Sequence, residues 1–191
     1  MNGTRASILV AVLVLFCKVA FCQESSEATT LAIVESAGNY VLSVPVSRLV
    51  MTIPKGGLTM KVNRGGGAAD SPRYFYFEDK NSALIITGWF ESDQGFPGIK
   101  QFWANETAAW KRGGLPEARD VTLVQLGDWN GVLYEIDSPI GKNSHIRAHW
   151  VQAGTWIDIH LSLTADLPQK EIRAKLQDVL KTIRVAERPS R

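Results

Sequence analysis

Beyond residue 22 this sequence has no cysteine: Cys17 and Cys22 are its only two. That excludes thiol catalysis, cysteine-ligated zinc and a disulfide framework from everything downstream. No Gly-x-Ser-x-Gly elbow occurs, so the usual serine-hydrolase turn is missing. The run Gly65-Gly66-Gly67 is not followed by Gly-Lys-Ser/Thr, so it is not a phosphate loop. The longest apolar run, residues 6–16, is far short of the ~20 residues that a membrane-crossing helix needs. Charge of one sign is lacking too. The chain has 21 Lys+Arg and 19 Asp+Glu. Two of those bases, Arg5 and Lys18, lie in the first 22 residues, and no basic cluster of the kind that grips nucleic acid remains.

What is present suits one globular domain. The chain has 191 residues, 45% hydrophobic and 21% charged, and a domain of that size buries ~70% of its unfolded surface. Residues 1–22 read as a signal peptide: Arg5, the apolar run, then Ala20 and Cys22 as the small residues of a cut after Cys22. The alternative is a lipoprotein cut before Cys22, although Phe21 stands where a small residue is usual. The protein is therefore expected to be exported, periplasmic or secreted, and attached to a membrane only if Cys22 is lipidated.

Residues 23–38 read as a linker, 39–186 as the domain and 187–191 as a tail. Residues 40–46, 49–53, 58–62, 74–77 and 83–90 have strand character. Pro54-Lys55-Gly56-Gly57 and Asp79-Lys80-Asn81-Ser82 turn between them. Residues 64–72 read as a glycine-rich loop, with Arg64 and Arg73 beside it. Gly95-Phe96-Pro97-Gly98 interrupts the sheet. Residues 99–112 then follow a helical period, with Ile99, Phe102, Trp103 and Trp110 near one stripe and Gly113-Gly114 as the stop. Strands at 121–126 and 132–136 flank a loop over residues 127–131. Strands at 145–152 and 155–163 form a hairpin about Ala153-Gly154. From Asp166 to Ile183, with Asp166 at the N-cap and Pro168 in the first turn, Ile172, Leu176, Val179 and Leu180 recur at amphipathic helical spacing. Hairpin connections predict an α+β fold: an antiparallel sheet of six to eight strands with helices packed on it.

This order resembles the PsbP-like fold, shared by the extrinsic oxygen-evolving subunit of photosystem II, a Ran-binding nuclear import factor and the DcrB-like envelope proteins of bacteria. The resemblance spans residues 40–185. It rests on a first strand leading into Thr52-Ile53-Pro54, the segment Trp129-Asn130-Gly131-Val132-Leu133-Tyr134-Glu135, the hairpin turn Ala153-Gly154-Thr155-Trp156 and the final helix. It implies a non-enzymatic binding or accessory domain, closest in character to the DcrB-like proteins. The family has no shared catalytic motif to carry over.

The residues offer two candidate sites. If Gln152 pairs with Thr155, then Trp150, Ala148 and Ile146 face Ile157, Ile159 and Leu161 on one side of the hairpin. On the other side His149 faces Asp158 and Arg147 faces His160. His149, Asp158 and His160 could then converge as a first set of Zn²⁺ or Cu²⁺ ligands. The plainer reading is a solvated surface pair. His145 shares that side, but i and i+4 on a strand lie ~13 Å apart. The second candidate is aromatic: Trp129 in a loop, Trp156 on the polar face and Phe96 before the helix read as an exposed partner-binding surface. Asn105-Glu106-Thr107 matches a glycosylation acceptor, but it lies inside the predicted helix.

The leading expectation is an exported, non-catalytic domain that binds another envelope or secreted protein, without a cofactor. The alternatives are a metal- or small-ligand-binding protein using the His149/Asp158/His160 face, and a hydrolase.

Overall fold

The computed structural model describes residues 31–61, 74–138 and 141–188. The signal segment, the glycine-rich loop and Arg73 fall outside them. Two antiparallel sheets carry the fold. The smaller holds β1 (Ala32–Ser36), β2 (Asn39–Ser43), β3 (Leu49–Pro54) and β11 (Arg184–Glu187), in the order β1-β2-β3-β11. The larger holds β4 (Thr59–Met60), β5 (Tyr74–Asp79), β6 (Leu84–Ser92), β7 (Arg119–Leu126), β8 (Trp129–Ser138), β9 (Gly141–Gln152) and β10 (Thr155–Ala165). Its order is β4-β5-β6-β10-β9-β8-β7. Helix α1 (Ile99–Arg112) lies between β6 and β7 in sequence, and α2 (Gln169–Thr182) between β10 and β11.

The expected antiparallel strand-and-hairpin order holds, but the strands form two sheets where one of six to eight strands was expected, and the edges differ. The segment read as a linker contains β1, which pairs with β2 from Ala32↔Ser43 to Ser36↔Asn39. The strand expected over residues 58–62 shrinks to Thr59–Met60. Pro168, rather than Asp166, stands at the N-cap of α2. Glu187, read as tail, pairs with Leu49.

Strand alternation decides where the core sits. In β10, Ile157, Ile159, Leu161 and Leu163 point to one side and are buried together with Phe77, Ile86 and Ile146 of neighbouring strands. Ile172, Leu176 and Leu180, at i, i+4 and i+8 along α2, fill the same cluster. So do Tyr40, Leu42, Met51 and Ile53 of the small sheet, and Tyr40 stacks 4.5 Å from Phe77. At the start of α2, Gln169 donates to Ser144 Oγ (3.2 Å), which donates to the buried Glu135 (2.8 Å).

Gly88, in the middle of β6, is required by close approach. A Cβ there would lie 2.2 Å from Phe75 Cζ and 3.0 Å from the Asp158 carbonyl oxygen. Phe75 is buried and cannot swing aside. Gly88→Ala is therefore expected to lose ~1–3 kcal/mol, the usual penalty of overpacking, read as a lower urea midpoint with an unchanged slope. An unchanged midpoint would refute this account of the packing.

Candidate functional site

The opposite side of the large sheet is the informative one. The register of β9 and β10 is the one derived from the sequence: Gln152↔Thr155, Trp150↔Ile157, His149↔Asp158 and Arg147↔His160. The polar side is not solvated, however. Helix α1 lies across it, so His149 is 1% exposed, His145 6% and Asp158 7%. The helix meets the sheet through one face. Phe102 packs edge-on to His149 at 4.3 Å between centroids, Trp103 packs on Tyr134 at 4.8 Å and Trp110 on Tyr134 at 5.4 Å. Glu106, on the same face one turn after Phe102, comes within 3.6 Å of Arg147.

Three histidines and an acid thus lie in one buried layer, but they do not converge. Asp158 binds Arg147 instead. The guanidinium donates from Nε to Oδ1 at 2.6 Å and from a terminal nitrogen to Oδ2 at 2.5 Å. This forked pairing is the strong form of the interaction. Burial works against the Arg147 charge, but Asp158 and Glu106 outweigh it and hold the side chain protonated. His149 Nδ1 lies 3.6 Å from Asp158, yet the indole N–H of Trp156 donates to that same nitrogen at 3.0 Å. His149 Nδ1 is therefore an acceptor without a proton, and Asp158 does not orient it as a catalytic acid would. His160 turns the other way. Its Nε2 lies 3.0 Å from His145 Nδ1 and 3.2 Å from the Tyr134 hydroxyl.

The Tyr134, His145 and His160 rings are nearly parallel, with interplanar angles of 7–12°. His160 Nε2 has one lone pair or one N–H to share between two neighbours, Tyr134 Oη and His145 Nδ1, and the tautomer sets which atom donates. All three histidines are kept neutral. Burial pushes His145 down to about 4. Burial also pushes His149 down to about 4, against the attraction of Asp158. His160 lies well below 6.5, again by burial, with His145 and Arg147 adding to it.

The proposed metal set is therefore split three ways. Asp158 goes to Arg147, His149 to Trp156 and His160 to His145. Among the described residues no group of three or more His, Cys, Asp or Glu is placed to hold a metal ion. The expected exposed aromatic surface also differs. Trp129 is 2% exposed and packs in a T-shape on Trp150. Trp156 is 8% exposed and lies under Phe96 and Phe102. Phe96 is half-buried, 5.3 Å from the His149 ring. These residues do not form an exposed patch.

Of the three, Trp156 borders a cavity. A hollow of about 400 Å³ opens between β5, β6, β10 and α1. Its walls are Tyr74, Trp89, Phe102 and Trp156, and Arg147, Asp158 and His160 reach it from the sheet. Thr87 and the backbone of Gly88 complete the floor, and Glu91 stands at the rim. A second hollow, about 590 Å³, lies beside α2 among Leu84, Leu163, Leu176 and Val179. It is larger, but its charged residues, Lys175 and Asp178, are exposed. The first hollow has what a specific site needs: apolar walls around a few fixed polar groups.

Comparison with known proteins assigns no family. No family model matches the chain, and no curated protein matches it in sequence. A solved structure from Bacteroides thetaiotaomicron is similar over 74% of this chain and 46% of its own length, at 12% identity and a TM-score of 0.44. A protein of unknown function from Pseudomonas aeruginosa is similar over 84% of this chain and 99% of its own, at 13% identity and a TM-score of 0.38. The chain thus spans less than half the length of the first.

Several residues of the site were not singled out in the sequence. Tyr74, Trp89, Glu91, Glu106 and Tyr134 carry no motif. A signal did exist in Tyr74-Phe75-Tyr76-Phe77, where both alternate faces are aromatic. A strand with no polar face is covered on both sides, and α1 was the element available to cover the second.

Proposed function

We propose that this chain is an exported, non-enzymatic binding domain of PsbP-like character whose ligand is a small molecule held in the cavity under α1. The observation that carries this reading is the cavity itself: about 400 Å³, four aromatic walls and a part-buried Arg147–Asp158 pair at its base. Most of the polar atoms there are already engaged, although among the described residues Nε2 of His149 and Nε2 of His145 have no hydrogen-bond partner. Both Asp158 oxygens accept from Arg147, His149 Nδ1 accepts from Trp156, and His160 Nε2 faces Tyr134 and His145. Such groups give a fixed outline and a fixed field, which favour recognition over proton transfer. Recognition of a partner protein through Trp129, Trp156 and Phe96 has no comparable support, since two of the three are buried.

A fragment library screened by thermal shift tests the reading. A ligand at ~100 times its dissociation constant should raise the melting temperature by roughly 5–10 °C. Thr87→Phe, which places a ring in the cavity, is expected to abolish the shift. Hits that survive Thr87→Phe bind elsewhere and would sink the proposal. Zn²⁺ belongs in the same screen. A zinc shift lost in His160→Ala would restore the metal reading in place of this one.

A further inference from the structure

The charge balance around this cavity points to the class of ligand, on the reading that the cavity is the binding site. Four aromatic rings, Tyr74, Trp89, Phe102 and Trp156, line it. Each presents a ring face or edge with a fixed quadrupole, and ring faces attract cations. The fold already uses this attraction once, since the Arg147 guanidinium lies over the Phe102 ring at 5.3 Å.

The ionised groups are unevenly matched. Among the described residues Arg147 is the one Lys or Arg that lines the cavity, and two carboxylates engage it, Asp158 in a fork and Glu106 at 3.6 Å. A third carboxylate, Glu91, stands at the rim, and among the described residues no base is placed against it. Its position is set by the turn that follows β6: the place of a Cβ on Gly95 lies 3.7 Å from Glu91 Oε2 and 3.9 Å from the Trp156 ring. The carboxylate and the indole thus share one wall. The histidines of the layer are neutral and add no positive charge. An incoming anion would meet an excess of carboxylates and an arginine already engaged. A neutral apolar ligand would leave the Glu91 charge unused. A cation meets aromatic walls and, among the described residues, an excess of negative charge together.

We propose that the cavity takes a small organic cation, an ammonium or quaternary ammonium compound, seated against Trp89 and Trp156 with Glu91 at its entrance. No covalent step is involved. The cation exchanges its water shell for ring faces, and Glu91 raises its local concentration at the mouth.

Calorimetric titration of the full chain at neutral pH with three probes tests this: choline, its uncharged isostere 3,3-dimethyl-1-butanol, and benzoate. Choline is expected to saturate one site, and the isostere to bind at least about tenfold more weakly, because shape is held constant and only charge differs. Glu91→Gln, an exposed and conservative change, should weaken choline by about threefold to tenfold and leave the isostere unchanged. Trp89→Leu should weaken choline further. If the isostere or benzoate equals choline and still responds to Trp89→Leu, the cavity is a binding site but its ligand is not a cation, and the inference falls alone. If choline binds and neither Trp89→Leu nor Thr87→Phe weakens it, the cavity reading falls as well. No choline binding at about 10 mM, a free energy below that of any specific site, overturns the inference and leaves the cavity to the fragment screen.

Discussion

Replacing Arg147 by methionine is expected to lower stability by ~3–5 kcal/mol, far more than the loss of a surface ion pair. The size follows from what is left behind. Asp158 is 7% exposed, and both of its oxygens accept from Arg147. Without the guanidinium, a carboxylate stays buried on the face it shares with Trp156 and His149, with no adequate partner. His149 Nδ1, at 3.6 Å, is turned to the Trp156 N–H and does not replace it. The double variant Arg147→Met, Asp158→Leu should recover most of the loss, since an apolar pair avoids the desolvation that the ion pair must offset. Urea denaturation of the wild type, both single variants and the double variant closes the cycle. A single-variant loss under about 1 kcal/mol would mean that the pair behaves as a solvated one.

The second large effect is with pH. Stability should fall steeply on acidification from about pH 6.5 to about pH 4. In the unfolded chain a histidine titrates near ~6.5. In the folded protein burial pushes His145 and His149 down to about 4, and His160 well below its ordinary value. Between those limits the unfolded state binds more protons than the folded one, so stability rises with pH and is lost as pH falls. The loss is absent above the unfolded value and accumulates down to the folded one. His145 and His149 should each contribute roughly 3 kcal/mol by pH 4. Together that is comparable with the whole stability of many domains. Burial sets the direction, and the groups around them modify it. Arg147 opposes protonation of His149 and His160, Asp158 favours it at His149, and Tyr134 offers His145 a ring face. His145→Phe keeps a flat ring against Tyr134 and should remove one group's share of the slope. Unfolding free energies from urea titrations at several pH values provide the check. A flat profile between about pH 7 and about pH 5 would contradict the buried neutral layer.

The sequence carried the hairpin well because strand alternation has a period of two, and one two-residue turn fixes every partner. Ala153-Gly154 supplied that turn, with both residues at positive φ, 47° and 74°. The limits of α1 were also legible, with Gly98 before it and Gly113-Gly114 after it. What the pattern did not reveal was the side of the sheet that α1 covers. The apolar stripe of α1 shows that one of its faces is covered, but not which side of the sheet it meets. Trp129 was misplaced for a local reason. Residues 127–131 look like one long loop, but Gly127, at φ 63°, and Asp128 turn the chain alone, and Leu126 pairs with Trp129. β1 was hidden because only one of its five residues is even partly buried. The site itself was half legible. His149, Asp158 and His160 are in one layer, as alternation required, but their partners, Trp156, Arg147 and His145, depend on side-chain directions that spacing alone does not specify.

The floor and roof of the cavity differ in how they are held. β10 presents Asp158 and His160 to the hollow and Ile157, Ile159 and Leu161 to the core, so the floor yields only if the core does. Helix α1 rests on that floor through the Phe102, Trp103, Glu106 and Trp110 side chains, with no residue sealed from solvent. Such an element opens at a lower free energy than the sheet beneath it. The helix can therefore lift locally on a timescale decoupled from global unfolding, and the surface below keeps its shape while it does.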